Sequence, residues 1–145
     1  MKAARIAVAG ALLILGGTAA AAPSESDHRA ALRNAAATYN AARAHCRTLS
    51  GQDKRVCIAE AKAALNRANA QAEATYRDTP RARVDAHVAE ANADYAVARA
   101  RCDAHSGAAR RACIKAAKAE QTEAITKAMQ APKTGSKTGS QTGSE

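Results

Sequence analysis

Apolar positions recur along this chain at steps of three and four. Leu32, Ala35, Tyr39, Ala42, Cys46 and Leu49 follow that step, and so do Val88, Ala91, Tyr95, Ala98, Cys102 and His105. Between them Ile58, Ala61, Leu65, Ala68 and Ala72 keep the same period, flanked by Cys57 and Ala64. A period near 3.6 residues puts each set on one stripe of an α-helix. The stripe is narrow, closer to a coiled-coil seam than to the broad buried face of a globular helix. The pattern therefore predicts helices that meet along thin lines.

Punctuation divides the pattern into four predicted helices. The first runs from about Asp27 to Leu49, with Ser24 to Asp27 offering capping groups. The second runs from about Gln52 to Tyr76. The third runs from Pro80 to His105, with Thr79 as N-cap and proline at the first helical position. The fourth runs from Ala108 to about Ala131, where Pro132 stops it. Each inner break is a Ser-Gly pair, Ser50-Gly51 and Ser106-Gly107. Glycine there suits a left-handed helix cap and a tight turn.

The pattern is also written twice. Tyr39-x3-Arg43-x2-Cys46-x3-Ser50-Gly51-x3-Arg55-x-Cys57-Ile58-x2-Ala61-Lys62-Ala63 returns 56 residues later as Tyr95-x3-Arg99-x2-Cys102-x3-Ser106-Gly107-x3-Arg111-x-Cys113-Ile114-x2-Ala117-Lys118-Ala119. The fold expected is all-α, with two repeated antiparallel helical hairpins. The link from Arg77 to Pro80 allows either a four-helix bundle or an extended pair. On the seam, His105 stands where the first copy has Leu49, and Gln121 where it has Leu65. A more weakly packed second hairpin is the expectation.

All four cysteines lie inside the repeat. In an antiparallel hairpin, residues at one height share one index sum. Cys46 with Cys57 has the same sum as Ala42 with Ala61, and Cys102 with Cys113 the same as Ala98 with Ala117. A disulfide needs α-carbons about 5.5 Å apart, whereas helices ordinarily pack at about 8–10 Å. Alanine on both sides of the next layer permits that approach. The pairing predicted is Cys46–Cys57 and Cys102–Cys113, each bridge worth roughly 2–3 kcal/mol. Metal chemistry would want histidines at repeated positions, but His45 matches Arg101 and His105 matches Leu49. A catalytic dithiol would want the close Cys-x-x-Cys spacing. No metal and no cofactor is expected.

The ends set the compartment. Lys2 and Arg5 precede a short apolar run from Ile6 to Leu15, and Ala19-Ala20-Ala21 offers small residues for cleavage. The reading is a signal peptide over 1–21, a first hairpin over 22–78, a second over 79–131, and a tail over 132–145. An exported chain, with periplasmic location, also fits paired cysteines. The tail repeats Lys-Thr-Gly-Ser and holds no apolar residue to bury, so disorder is expected there. Removing Lys2 and Arg5, with no acid, lowers the formal charge from +9 by two to +7. The chain has no Phe, no Trp and three tyrosines. Its apolar fraction is mostly alanine, which forms helix well but buries little area. A large ligand-enclosing core cannot be built from it.

The repeated unit resembles a motif of short, alanine-rich exported helical-hairpin proteins of Gram-negative bacteria. Some of these carry a label linking them to the envelope protein TolA. The resemblance covers residues 32–72 and 88–128. It implies a periplasmic helical protein and brings no activity, ligand or catalytic residue with it.

No paired core acids, no nucleophile–base order and no glycine-rich phosphate loop stand out. The expected function is therefore a non-enzymatic periplasmic structural or interaction role, with a periplasmic protein or an anionic envelope component as partner. Arg43, Arg55 and Lys62 recur as Arg99, Arg111 and Lys118. An alternative is that these basic faces bind an anionic envelope polymer or membrane surface. A chaperone-like stress role, through opening of the sparse seam, is another. Export and the scarcity of aromatics argue against nucleic acid as a partner.

Overall fold

The computed structural model describes residues 23–130. The signal segment and the tail read from sequence lie outside the described residues. Four helices occupy the chain: α1 (Glu25–Cys46), α2 (Gly51–Arg77), α3 (Pro80–Cys102) and α4 (Gly107–Gln130). Their starts obey the capping signals. Ser24 Oγ accepts from the Asp27 N–H at 3.2 Å, and the Asp27 carboxylate accepts from the Ser24 N–H at 3.0 Å. This reciprocal box satisfies two donors that a helix start leaves open. The Ser24 hydroxyl and N–H together hold the Asp27 carboxyl below its ordinary pKa. Thr79 Oγ1 likewise accepts from the Ala82 N–H at 3.1 Å.

The helix ends correct the sequence reading. α1 and α3 stop at Cys46 and Cys102, three residues short of Leu49 and His105. Beyond each cysteine the chain tightens: the Thr48 N–H donates to His45 O, and the Leu49 N–H to Cys46 O. Ala104 and His105 repeat this onto Arg101 and Cys102. The turn must begin there for the chain to bring Cys57 back level with Cys46. Leu49 is half-buried in the turn and His105 is exposed, so neither is a seam residue. Gly51 and Gly107 are left-handed, at φ 55° and 53°. They open α2 and α4, however, while right-handed Arg47 and Asp103 cap α1 and α3. Asp78 ends α2 in the left-handed region, at φ 43°. A short polar side chain tolerates that conformation better than most.

Both predicted bridges are present, with Cα–Cα distances of 5.6 Å for Cys46–Cys57 and 5.7 Å for Cys102–Cys113. Cys46 and Cys102 are fully buried, and Ala61 and Ala117 are buried beside them. Small side chains at that level let the helices come within bridging distance.

Each helix packs only on its neighbours in the chain: α1 on α2, α2 on α3, α3 on α4. Among the described residues α1 touches neither α3 nor α4, and α2 does not touch α4. The result is one serpentine layer of helices, neither a closed bundle nor two separate hairpins. The hairpins join through Ala63, Ala93 and Val97. Arg101 pairs with Glu60 at 2.7 Å, and Arg67 pairs with Asp94. The Gln52 side-chain amide donates to Ala100 O, a carbonyl at the end of α3 that also accepts from the Asp103 N–H. α2 thus carries two seams, one for α1 and one for α3.

Burial also reverses the expectation of a looser second hairpin. The second seam buries Ala91, Cys102, Ala117, Gln121 and Ala128. The first buries Ala35, Cys46 and Ala61, with Leu32 and Leu65 only half-covered. Gln121 takes its buried place through hydrogen bonds. Its side-chain nitrogen donates to Asn92 Oδ1 at 2.6 Å, and its oxygen accepts from Lys118 Nζ at 2.9 Å. A buried amide satisfied in this way costs little.

Candidate functional site

The layer has two faces of different chemistry. One carries the repeated basic residues. At about 100° per residue, Arg43 and Lys62 turn to the same side of the first hairpin, as Arg99 and Lys118 do in the second. Arg43, Arg55, Lys62, Arg99, Arg111 and Lys118 are all exposed. Among the described residues none of the six lies within ion-pair distance of a carboxylate, whereas Arg29, Arg67, Arg77, Arg81, Arg83, Arg101 and Arg110 all do. Two of the six sit over tyrosine rings, which are half-buried at the seams. Arg43 lies 5.6 Å from the centroid of Tyr39, and Lys118 lies 5.3 Å from that of Tyr95. Cation–π attraction holds such a side chain in place without neutralising it.

The two copies approach one another at the tips. Arg110 donates to Asp103 Oδ1 at 2.6 and 2.9 Å. That hydrogen bonding holds the Asp103 carboxyl below its ordinary pKa, and the nearby charges of Arg55 and Arg99 act in the same direction. Arg55 from the first copy and Arg99 from the second therefore share one acidic neighbour.

The other face carries a groove between α1 and α2, of about 550 Å³. Its walls are small. Ala31, Ala35, Ala42, Asn34 and Thr38 stand on α1, and Ala61, Ala64, Ala68, Ala72, Gln71 and Thr75 on α2. Leu65 and Tyr39 form its floor. Ala31, Asn34, Thr38, Ala64, Ala68, Gln71 and Thr75 are all exposed. None of Arg29, Arg33, Arg43 or Arg47 lines it, so the arginines of α1 turn elsewhere. Asp27 is its one carboxylate, already held by the Ser24 cap. At the open end His28 stacks on Tyr76, with ring centroids 4.6 Å apart and planes 9° from parallel. His28 Nε2 lies 3.0 Å from Glu73 Oε2, but the ring N–H does not align with it as a hydrogen bond. The two atoms are close without a directed bond between them.

The second hairpin has a narrower groove of about 250 Å³. Its lining is Ala91, Asp94, Tyr95, Ala98, Ala117, Glu120, Gln121 and Ala124. Every one of these is the repeat equivalent of a residue lining the first groove. Three differences separate them: Asp94 for Thr38, Glu120 for Ala64, and Gln121 for Leu65. The groove belongs to the repeated unit, and only the first copy keeps the shared stretch of it free of charge.

The sequence reading placed the basic residues but missed the groove. The signal was a second column of small neutral residues beside each seam, and alanine in a helix reads as a helix former before it reads as a surface. Among the described residues no cluster of histidine, cysteine and carboxylate is grouped to hold a metal, and all four cysteines are bridged. No helix of the described residues is long and apolar enough to cross a membrane. Comparison with protein-family models, with curated proteins and with solved structures finds no match.

Proposed function

We propose that the protein is a non-enzymatic interaction protein of the periplasm, in which a disulfide-braced layer of helices presents one face to a partner. The observation that carries this reading is the open groove of the first hairpin, whose walls between Ala31 and Ala42 and between Ala61 and Thr75 are lined by no charged residue. A helix face that does nothing but meet water normally carries charge, whereas the one carboxylate lining this groove, Asp27, is held in the Ser24 cap at its end. The paired cysteines and the apolar N-terminal run of the sequence support an exported chain. Fractionation should then find a processed chain in the periplasm, beginning at or near Ala22.

A photo-crosslinking residue placed at Ala68, in the groove, tests the reading in intact cells. Adducts are expected there and not from the same residue at exposed Ala116 of α4. Absence of adducts at Ala68 removes the groove as a contact face.

A second reading rests on the opposite face. Six exposed basic side chains without carboxylate partners suit an anionic envelope polymer or lipid surface. Co-sedimentation with anionic vesicles and with peptidoglycan should then weaken steeply across a salt series. Replacing Lys62 and Lys118 with glutamine should weaken it further. Salt-independent retention would rule out this mode.

A further inference from the structure

We propose that the first groove is covered by the same groove of a second copy of this chain, in a two-fold dimer. The inference rests on the groove being a contact face and names what contacts it. Its first support is the make-up of the walls. α1 contributes alanines, one amide (Asn34) and one threonine (Thr38); α2 contributes alanines, one amide (Gln71) and one threonine (Thr75). A face whose two halves match can meet itself across a two-fold axis, which is what an isologous contact requires.

Register adds a second support. The Cys46–Cys57 bridge fixes which residues of α1 and α2 share a height, and by that register Asn34 and Gln71 lie nearly level. A two-fold axis parallel to the helices preserves heights and exchanges the walls. Asn34 of one copy then faces Gln71 of the other, twice by symmetry. Amides in that position can exchange hydrogen bonds as their neighbours lose water.

Charge supplies the third. The mature chain carries a formal +7, the full chain's +9 less Lys2 and Arg5, so copies repel at most approaches. Along this groove there is no cation to oppose another. In the second hairpin the equivalents of Ala31, Asn34, Thr38, Ala64 and Gln71 are His87, Glu90, Asp94, Glu120 and Lys127. By the same register Glu90 would face Lys127, but Asp94 would face Glu120, like charge against like, if that copy stacked on itself.

Area sets the strength. Between Asp27 and Ala42 the groove follows about 24 Å of helix, and two helices side by side are about 20 Å wide. The pair would cover about 960 Å² in projection, near the lower bound of about 1,000 Å² for specific interfaces. The dimer is therefore weak and dependent on concentration. The axis also carries the two second hairpins to opposite sides.

The test is sedimentation of the mature, oxidised protein across a dilution series, beside a Thr38→Asp/Ala64→Glu variant. These substitutions install the second copy's own residues, Asp94 and Glu120, which the same scaffold accommodates there. Wild type should double its mass as concentration rises. The variant should stay monomeric with unchanged helicity and unchanged bridges. A variant that still dimerises places the contact elsewhere and overturns the proposal. A wild type that stays monomeric also overturns it. If the Ala68 crosslinker nonetheless yields adducts with another protein in cells, the groove remains a contact face and only self-pairing fails.

Discussion

The two hairpins share a backbone unit, a bridge and a register, yet their grooves differ more than twofold in volume, about 550 Å³ against 250 Å³. The first groove is also the longer, and three side chains differ where the two coincide. Asp94 and Glu120 charge the walls of the second groove, and Gln121 closes onto Asn92 and Lys118 where Leu65 leaves the first floor apolar. A duplicated unit can thus keep its scaffold in both copies while only one copy keeps a wide, alanine-lined groove. In the second copy the same positions bond within the molecule: Asp94 pairs with Arg67, and Gln121 with Asn92 and Lys118.

The strongest way to break this comparison is to remove the bridges one at a time. Each closes a loop of equal length, with cysteines 11 residues apart, and should contribute roughly 2–3 kcal/mol. The effects should still differ. α1 is covered by little beyond Ala35 and Cys46, so Cys46→Ala/Cys57→Ala should lose more helicity by circular dichroism than Cys102→Ala/Cys113→Ala. Equal losses would show that the groove does not weaken its hairpin.

Exchanging the floor residues sharpens it next. Leu65→Gln should cost about 1–2 kcal/mol in urea melts, because a half-buried apolar side chain is lost. Gln121→Leu should gain about 1 kcal/mol, since exposed Asn92 and Lys118 return to water while the leucine is buried. A loss in the second variant would mean that the amide network holds the hairpin more firmly than packing would.

A smaller effect is expected at the open end. His28→Ala removes the stack on Tyr76, a contact worth roughly 0.5–1.5 kcal/mol. The second copy has Val84 at the equivalent of His28. Hydrogen exchange should speed up in the first turns of α1 and stay unchanged in α3. Uniform acceleration through both helices would assign the stack a global role.

The least effect concerns acid. The Asp103 carboxyl is held below its ordinary value chiefly by Arg110, so its folded pKa lies below its unfolded one. Its stabilising contribution is complete above the unfolded value of about 4 and is lost as pH falls through the lowered folded value. Stability curves of wild type and Asp103→Asn should therefore separate at neutral pH and converge in acid. A constant gap across that window would assign the loss to packing.

Much of this fold was legible in the sequence because its signals are local. Ser24 and Asp27, Thr79 and Pro80, and the matched heights of cysteine and alanine each act within a few residues. The ends of α1 and α3 were read too far because Leu49 and His105 continue the three-four step, while the bridge forces the turn to begin first. The α2–α3 seam was hidden for a different reason. Ala63, Ala70 and Ala74 add no hydrophobic contrast to a chain already rich in alanine, so a second stripe on one helix left no visible period. The groove was illegible on the same ground: seven exposed small residues mark it by the absence of charge.

The serpentine order has a kinetic consequence. Every helix contact joins neighbours along the chain, so contact order is low and no long loop must close before packing begins. Folding can start in either hairpin and spread one helix at a time, as in a linear array whose stability is a sum over units and their junctions. Such a molecule can be lengthened at its edge without redrawing its core. Inserting a third copy of the 56-residue period after the second should yield a longer layer with a higher melting temperature, each added bridge closing its own hairpin independently of the others.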